Sequence, residues 1–150
     1  MSAFPSEQTP SVSIIIPAKN EAENIRPLIA EIQAAMANRD DYELLYVDDG
    51  STDETWQELL SVQQQSDCPL TLLRHQQSVG QSLAILSAAW QARGDWLVVL
   101  DADGQNDPAD IPSMLAAVQA ANQQDPRVWG VIGHRINRRD DWVKRLSSKV

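Results

Sequence analysis

The 150-residue chain has the length of one domain, enough for a sizeable core, and its formal net charge is −9. That balance argues against a general nucleic-acid binder. A lone Cys68 excludes a disulfide framework or a cysteine metal cluster, and no apolar run approaches the ~18 residues a membrane span needs.

In chain order, Met1 to Pro10 is polar, without a basic start or an apolar core, and reads as a short disordered lead before a domain over 11–150. Val12-Ser13-Ile14-Ile15-Ile16 is a β-branched run that ends at Pro17, a first buried strand. Asn20 with Glu23 forms an Asn-x-x-Glu cap pattern, and Ile25, Leu28, Ile29, Ile32 and Met36 recur at helical spacing, so a helix is expected from about Glu21 to Ala37. Tyr42 to Val47 is a second strand, ending in Asp48-Asp49-Gly50-Ser51. Ser51 or Thr52 is expected to cap a second helix with Trp56, Leu59, Leu60 and Val62 on its core face. Leu70 to Leu73 is a third strand. Gly80-Gln81-Ser82 opens a third helix with Leu83, Leu86, Ala89 and Trp90 on one face, and Gly94 is expected at its C-terminal cap. Trp96 to Leu100 reads as a fully buried fourth strand, Pro108 to Ala121 as a fourth helix, Val128 to Gly133 as a fifth strand and Trp142 to Val150 as a last helix.

This alternation is the signature of an α/β fold with a mainly parallel sheet, in which ligands bind beyond the carboxyl ends of the strands. Five stretches rich in ligand-type residues fall at such ends: Pro17–Glu21, Asp48–Ser51, Arg74–Gly80, Asp101–Gln105 and Gly133–Arg135. The fourth carries the most chemistry. Asp101 and Asp103, one residue apart, can put two hard oxygen ligands on one side of an extended backbone, and Gln105 adds a neutral oxygen at the same spacing. Such a set suits Mg2+ or Mn2+ shared with substrate phosphates; an Asp/Gly-rich turn is the plain alternative. Asp48 and Asp49 suit hydrogen bonds from a base or ribose, or turn formation; Asn20 suits ligand contact or a helix cap. A dinucleotide Gly-x-Gly-x-x-Gly after the first strand and a P-loop are both missing, which leaves a carboxylate–metal clamp as the way to bind a diphosphate.

Charge is unevenly spread. Residues 1–134 hold six Lys/Arg against nineteen Asp/Glu, whereas 135–150 hold six against two. The basic tail, with Arg135, Arg138 and Arg139, suits a phosphate or an anionic membrane surface, or else a solvated helix face.

Ile14-Ile15-Ile16-Pro17-Ala18-Lys19-Asn20-Glu21, Val47-Asp48-Asp49-Gly50-Ser51-Thr52-Asp53 and Leu100-Asp101-Ala102-Asp103-Gly104-Gln105 together resemble the N-terminal motifs of family 2 glycosyltransferases. Gln105 with Asp107-Pro108, and Gly133 to Asp140, are similar to the polyprenyl-phosphate (dolichol-phosphate mannosyltransferase-like) hexosyltransferase branch. The resemblance covers about residues 12–150. It implies a GT-A (Rossmann-like) fold, a nucleotide-diphosphate sugar such as GDP-mannose or UDP-hexose as donor, a polyprenyl phosphate as acceptor, and Mg2+ or Mn2+ as cofactor. By position, Pro17, Ala18, Asn20, Glu21, Asp48 and Asp49 would line the nucleoside pocket. Asp101, Ala102, Asp103 and Gln105 would meet the donor, with Asp101, Asp103 and Gln105 on the metal. Arg135 would contact a phosphate, and Asp103, Arg135 and Asp140 would serve catalysis. Gly104 stands where many members carry a larger residue, and His134 where a small polar one is common; neither is given a role. The branch continues well past the Gly-x-Arg segment, so a donor half that binds nucleotide better than it turns over is expected, at the cytoplasmic face of a membrane. A family 2 transferase with a saccharide acceptor, a truncated binding module and, more remotely, a phospho-acceptor receiver domain are the alternatives.

Overall fold

The computed structural model describes residues 9–133; Arg135, Asp140 and the expected last helix lie outside them. Four strands, β1 (Val12–Ala18), β2 (Tyr42–Asp48), β3 (Leu70–Arg74) and β4 (Trp96–Val99), form one parallel sheet in the order β3-β2-β1-β4. Four α-helices follow the strands in turn: α1 (Ile25–Ala35), α2 (Thr55–Gln65), α3 (Gln81–Ala89) and α4 (Ile111–Gln124). The chain divides into two compact units, residues 1–115 and 116–150. The first holds the sheet, α1 to α3 and the first turn of α4. In the second, the end of α4 is closed by Asn122 Nδ2 donating to the Val128 carbonyl at 2.9 Å.

β1 is buried along its whole length because it is central and covered on both faces. On one face Ile14, Ile16, Leu44 and Tyr46 meet Ile25, Leu28, Ile29 and Ile32 of α1, Leu59 and Val62 of α2, and Ile111 and Leu115. On the other, Ile15, Leu45 and Val47 meet Ala84 and Ala88 of α3. Each fully buried Ile or Leu contributes roughly 2–3 kcal/mol of transfer free energy before conformational entropy is subtracted.

Several expectations are corrected. β1 runs on through Pro17 to Ala18, since a proline at a strand's end forfeits a single donor. The first helix starts at Ile25, after a 3-10 turn Ala22–Asn24 with no side-chain cap, because Asn20 is engaged elsewhere. Neither Ser51 nor Thr52 caps α2. Asp53 Oδ1 does that work, accepting from Thr55 N at 2.9 Å and from the Thr55 hydroxyl. Leu60 is exposed, and buried Thr55 takes a place on the inner face of α2. α3 meets the sheet through its alanines, so Leu83, Leu86 and Trp90 (81% exposed) point away from it. Gly94 caps no helix; it lies where a Cβ would stand 2.6 Å from Ser13 N. β4 is half-buried, not fully buried, because it is the sheet's edge: α3 packs on β1 and β2 and leaves Leu97 and Val99 exposed. Residues 128–133 form no strand, and Trp129 and Ile132 stand in solvent; a strand needs a ladder partner, and none is paired there among the described residues.

Candidate active site at the carboxyl edge of the sheet

From β1 the chain steps outward to β2 and β3, then returns to place β4 on β1's other side. The strand order reverses between β1 and β4, and the crevice beyond their carboxyl ends is where open α/β sheets take ligands. The segments after β1, β2, β3 and β4 converge on this edge and are laced together by side chains.

The loop after β1 is tied to the loop after β2. Asn20 adopts a left-handed backbone (φ 56°), which Asn tolerates better than most residues. Its N–H donates to Ser51 Oγ at 2.9 Å, and its Oδ1 accepts from Thr52 N at 2.9 Å. Glu21 N donates to Thr55 Oγ1 at 2.9 Å, while Glu21 Oε2 accepts from Asn24 Nδ2 at 2.6 Å. Pro17 and Ala18 are buried in β1, and the Ala18 carbonyl accepts from Asp49 N at 2.8 Å.

Asp48 and Asp49 leave β2 in opposite directions, as successive strand residues must. Asp48, fully buried, accepts from Ser51 N at 2.9 Å through Oδ1, and its Oδ2 is paired with Arg74 Nε at 3.2 Å. Arg74 in turn stacks over the Trp56 ring, 5.2 Å from its centroid. Asp49 is the hub of the segment after β3. Its Oδ1 accepts from Val79 N at 2.9 Å and from His75 Nδ1 at 2.7 Å; its Oδ2 accepts from Gly80 N at 2.9 Å and from the Ser78 hydroxyl at 2.8 Å. Burial pushes the Asp49 carboxyl up, but the bonds from His75, Val79, Ser78 and Gly80 outweigh it and hold the group well below the usual carboxylate range. His75 Nε2 lies 3.0 Å from Ser87 Oγ on α3, which pins the ring between the two.

Gly50 follows directly, at φ 65°, and a Cβ there would stand 2.5 Å from Ser78 N and 2.6 Å from the Gln77 carbonyl carbon. The backbone after β3 therefore crosses over a bare glycine. Gly50→Ala should force that crossing apart, break the Val79 and Gly80 bonds to Asp49, and cost roughly 3 kcal/mol. Urea unfolding measures it; a loss under about 1 kcal/mol would contradict the close crossing.

The segment after β4 carries the paired carboxylates. Leu100 and Ala102 turn into the core, while Asp101 is half-buried and Asp103 exposed. Asp103 Oδ1 accepts from Gln105 N at 3.0 Å across Gly104, which sits at φ 72°. Asp101 Oδ1 accepts from Gln81 Nε2, at the start of α3, at 2.7 Å. Asp107 Oδ1 caps the following 3-10 turn through Ala109 N at 2.9 Å. No group of three or more His, Cys, Asp or Glu converges among the described residues. Two carboxylates and an amide on one short loop are the residue types that suit Mg2+ or Mn2+ shared with phosphate and water.

Four of the five strand-end stretches thus meet on one edge; Arg135 and Asp140 fall outside the described residues. Sequence reasoning gave His75 and Gln81 no part. The signal was present in the Arg74–Gly80 stretch and in the Gly80-Gln81-Ser82 start of α3, where Gly80 takes φ 95°. An open groove of about 480 Å3 runs along the outer face of α3, lined by Arg74, His75, Val79, Leu83, Leu86 and Trp90 among others, and by none of the strand-end carboxylates.

Residues 13–148 match the sequence profile of Glycosyl transferase family 2. The chain belongs to that family. Among its relatives are proteins named undecaprenyl-phosphate 4-deoxy-4-formamido-L-arabinose transferase. That of Photorhabdus laumondii subsp. laumondii is 35% identical over 147 residues, covering 96% of this chain and 43% of the relative. That of Pseudomonas fluorescens (strain Pf0-1) is 36% identical over 141 residues, covering 93% and 39%. The chain therefore spans less than half the length of these relatives. In three dimensions it is similar to the mannosyltransferase PcManGT from Pyrobaculum calidifontis in complex with GDP-Man and Mn2+ (TM-score 0.63, 30% identity, 71% of this chain and 31% of that one). It shares its fold with S. aureus TarS 1-349 in complex with UDP-GlcNAc (TM-score 0.59, 23% identity, 75% and 32%). The GT-A fold implied by the motifs is the fold of this family 2 chain, and its relatives carry the name of the polyprenyl-phosphate branch.

Proposed function

We propose that the chain is the donor-binding part of an inverting glycosyltransferase that moves a sugar, a hexose by its motifs, from a nucleotide diphosphate to a polyprenyl phosphate. The observation that carries this reading is the position of Asp101 and Asp103 just past the end of β4, beside β1, at the point where the strand order reverses. The names of its relatives supply the acceptor class, undecaprenyl phosphate. The GDP-Man in the similar PcManGT structure supports a nucleotide-diphosphate sugar as donor, GDP-mannose or a UDP-hexose.

Asp101, Asp103 and Gln105 would hold Mg2+ or Mn2+, which when bound offsets the charge of the leaving diphosphate. Pro17, Ala18, Asn20 and Glu21 would line the nucleoside pocket, and Ala102 would meet the donor. Asp48 and Asp49 would line that pocket too: the Asp49 oxygens are held by the segment 75–80 and Asp48 Oδ1 by Ser51 N, while the buried Asp48 Oδ2, 3.2 Å from Arg74 Nε, has no hydrogen-bond partner among the described residues. The acceptor phosphate has a second pKa near ~6 and is already anionic at neutral pH, so the chain need not supply a strong base. Positioning and charge stabilisation then carry the reaction, and in-line attack inverts the anomeric carbon. Arg135 is assigned to the donor diphosphate or the acceptor phosphate, and Asp140 to catalysis, from their sequence motif alone. No helix among the described residues is long and apolar enough to cross a membrane; the cytoplasmic membrane face is proposed because the acceptor is a lipid.

Product analysis on the protein in its full natural length tests the reading. With a radiolabelled nucleotide sugar, label should pass into the organic phase with undecaprenyl phosphate and not into free saccharide. Label found only on a saccharide would move the chain to the polysaccharide-forming branch.

A further inference from the structure

We propose that Gln81 is a positioning residue for Asp101, and that residues 78–81 are a strap by which the β2-end carboxylate Asp49 sets the β4-end carboxylate. The proposal rests on the reading of Asp101 as a cation ligand.

Asp101 lies just past the last residue of β4, so strand pairing no longer fixes its side chain. Its backbone is fixed from below by Leu100 and Ala102, both packed in the core. What orients the carboxylate is Gln81, whose Nε2 donates to Oδ1 at 2.7 Å from a position twenty residues earlier in the chain. Gln81 is itself placed with unusual firmness for an exposed residue. It is the first residue of α3, and the three residues before it all donate to Asp49: Ser78 Oγ at 2.8 Å, Val79 N at 2.9 Å and Gly80 N at 2.9 Å. The strap therefore runs from one carboxylate to the other, with an anchor one residue from the amide that reaches Asp101.

The residue type fits the task. A neutral amide donates one hydrogen bond, fixes one carboxylate oxygen and leaves the carboxylate charge intact for a cation at the other. Lys or Arg in that place would pair with Asp101 and compete with the cation, and Glu would repel it. Outer partners that orient a metal ligand are worth about 10–100-fold in metal affinity. Because this bond is exposed, its part in folding is small, so its loss should be read in the cation and not in the melt.

Mn2+ affinity, measured by electron paramagnetic resonance with the chain alone and with added UDP or GDP, tests this. Gln81→Leu should weaken Mn2+ binding about tenfold and alter the zero-field splitting of the bound ion, with the metal-free melting temperature unchanged. Ser82→Ala, one residue on, should leave both affinity and spectrum as in the parent, whereas Asp101→Ala should remove the binding. If Gln81→Leu binds Mn2+ like the parent while Asp101→Ala does not, the strap is overturned and the reading of Asp101 stands. If the affinity falls only in step with a lower melting temperature, Gln81 is a folding contact and the proposal is also overturned. If Asp101→Ala binds Mn2+ normally, the cation reading itself fails and takes this proposal with it.

Discussion

Asp49→Ala should destabilise the chain by about 3 kcal/mol, on the order of 10 °C in melting temperature, and should weaken nucleotide binding as well. Asp49 is 4% exposed and accepts from two backbone N–H groups, a hydroxyl and an imidazole. Bonds to an ionised acceptor are worth more than neutral ones, but the four are not additive, because the exposed N–H groups of Val79 and Gly80 regain water once released. Asp49→Asn should recover little, since its amide nitrogen would face donors on one side. The sign with pH follows from the lowered carboxyl. In the unfolded chain an Asp titrates near ~4, so the contribution of Asp49 is fully present above that value and is lost as pH falls through it toward the lower folded one. The parent should therefore lose stability below about pH 4 more steeply than Asp49→Asn. Equal acid slopes, or a loss under about 1 kcal/mol in Asp49→Ala, would mean the hub does not bear on stability.

Glu43→Ala should cost a similar amount, about 3 kcal/mol, and leave nucleotide affinity unchanged. Glu43 sits at the other end of β2, 3% exposed, where the amino ends of the strands are joined. Its Oε1 accepts from Ser13 Oγ and Arg93 N, each at 2.7 Å, and its Oε2 from Arg93 Nε and a terminal guanidinium nitrogen at 3.0 and 2.9 Å. Ser13 Oγ accepts from Gly94 N at 2.9 Å, so one carboxylate joins β1, β2 and the approach to β4. Burial raises the Glu43 carboxyl, and the Arg93 and Ser13 bonds more than reverse that, so its contribution too is present above the unfolded value and fades below it. Guanidinium and Ser13 would lose their acceptor together in the alanine variant. Denaturant unfolding paired with nucleotide titration separates this residue from Asp49: stability falls in both, affinity in one. A fall in affinity for Glu43→Ala would show that the two ends of the sheet are coupled.

What could be read from the sequence was whatever burial on two faces imposes. The Ile14–Ile16 run reads as a buried strand and the strands alternate with helices, so the fold class was legible, as was the place of Asp101 and Asp103 at a strand's carboxyl end. The face of α3 was not. Its leucines and Trp90 give the stronger apolar signal, yet Ala84 and Ala88 lie against the sheet, because hydropathy does not record how close a helix must approach. β4 read as fully buried because an apolar run does not reveal that its strand is an edge. Asn20 has the local pattern of a helix cap, but its amide oxygen is spent on Thr52, thirty-two residues away. The same holds for Asp49 and Gln81, whose partners are fixed only once β2, β3 and β4 are brought to one edge.

The proposed role of Asp101 and Asp103, holding a donor diphosphate through a divalent cation, is tested most directly by calorimetric titration with GDP and UDP, in Mn2+ and in EDTA. The parent chain should bind one of the two nucleotides at least about tenfold more tightly with Mn2+, and the Asp101→Ala, Asp103→Ala double variant should lose that increment while keeping the metal-free affinity. A double variant that retains the Mn2+ increment would contradict that role.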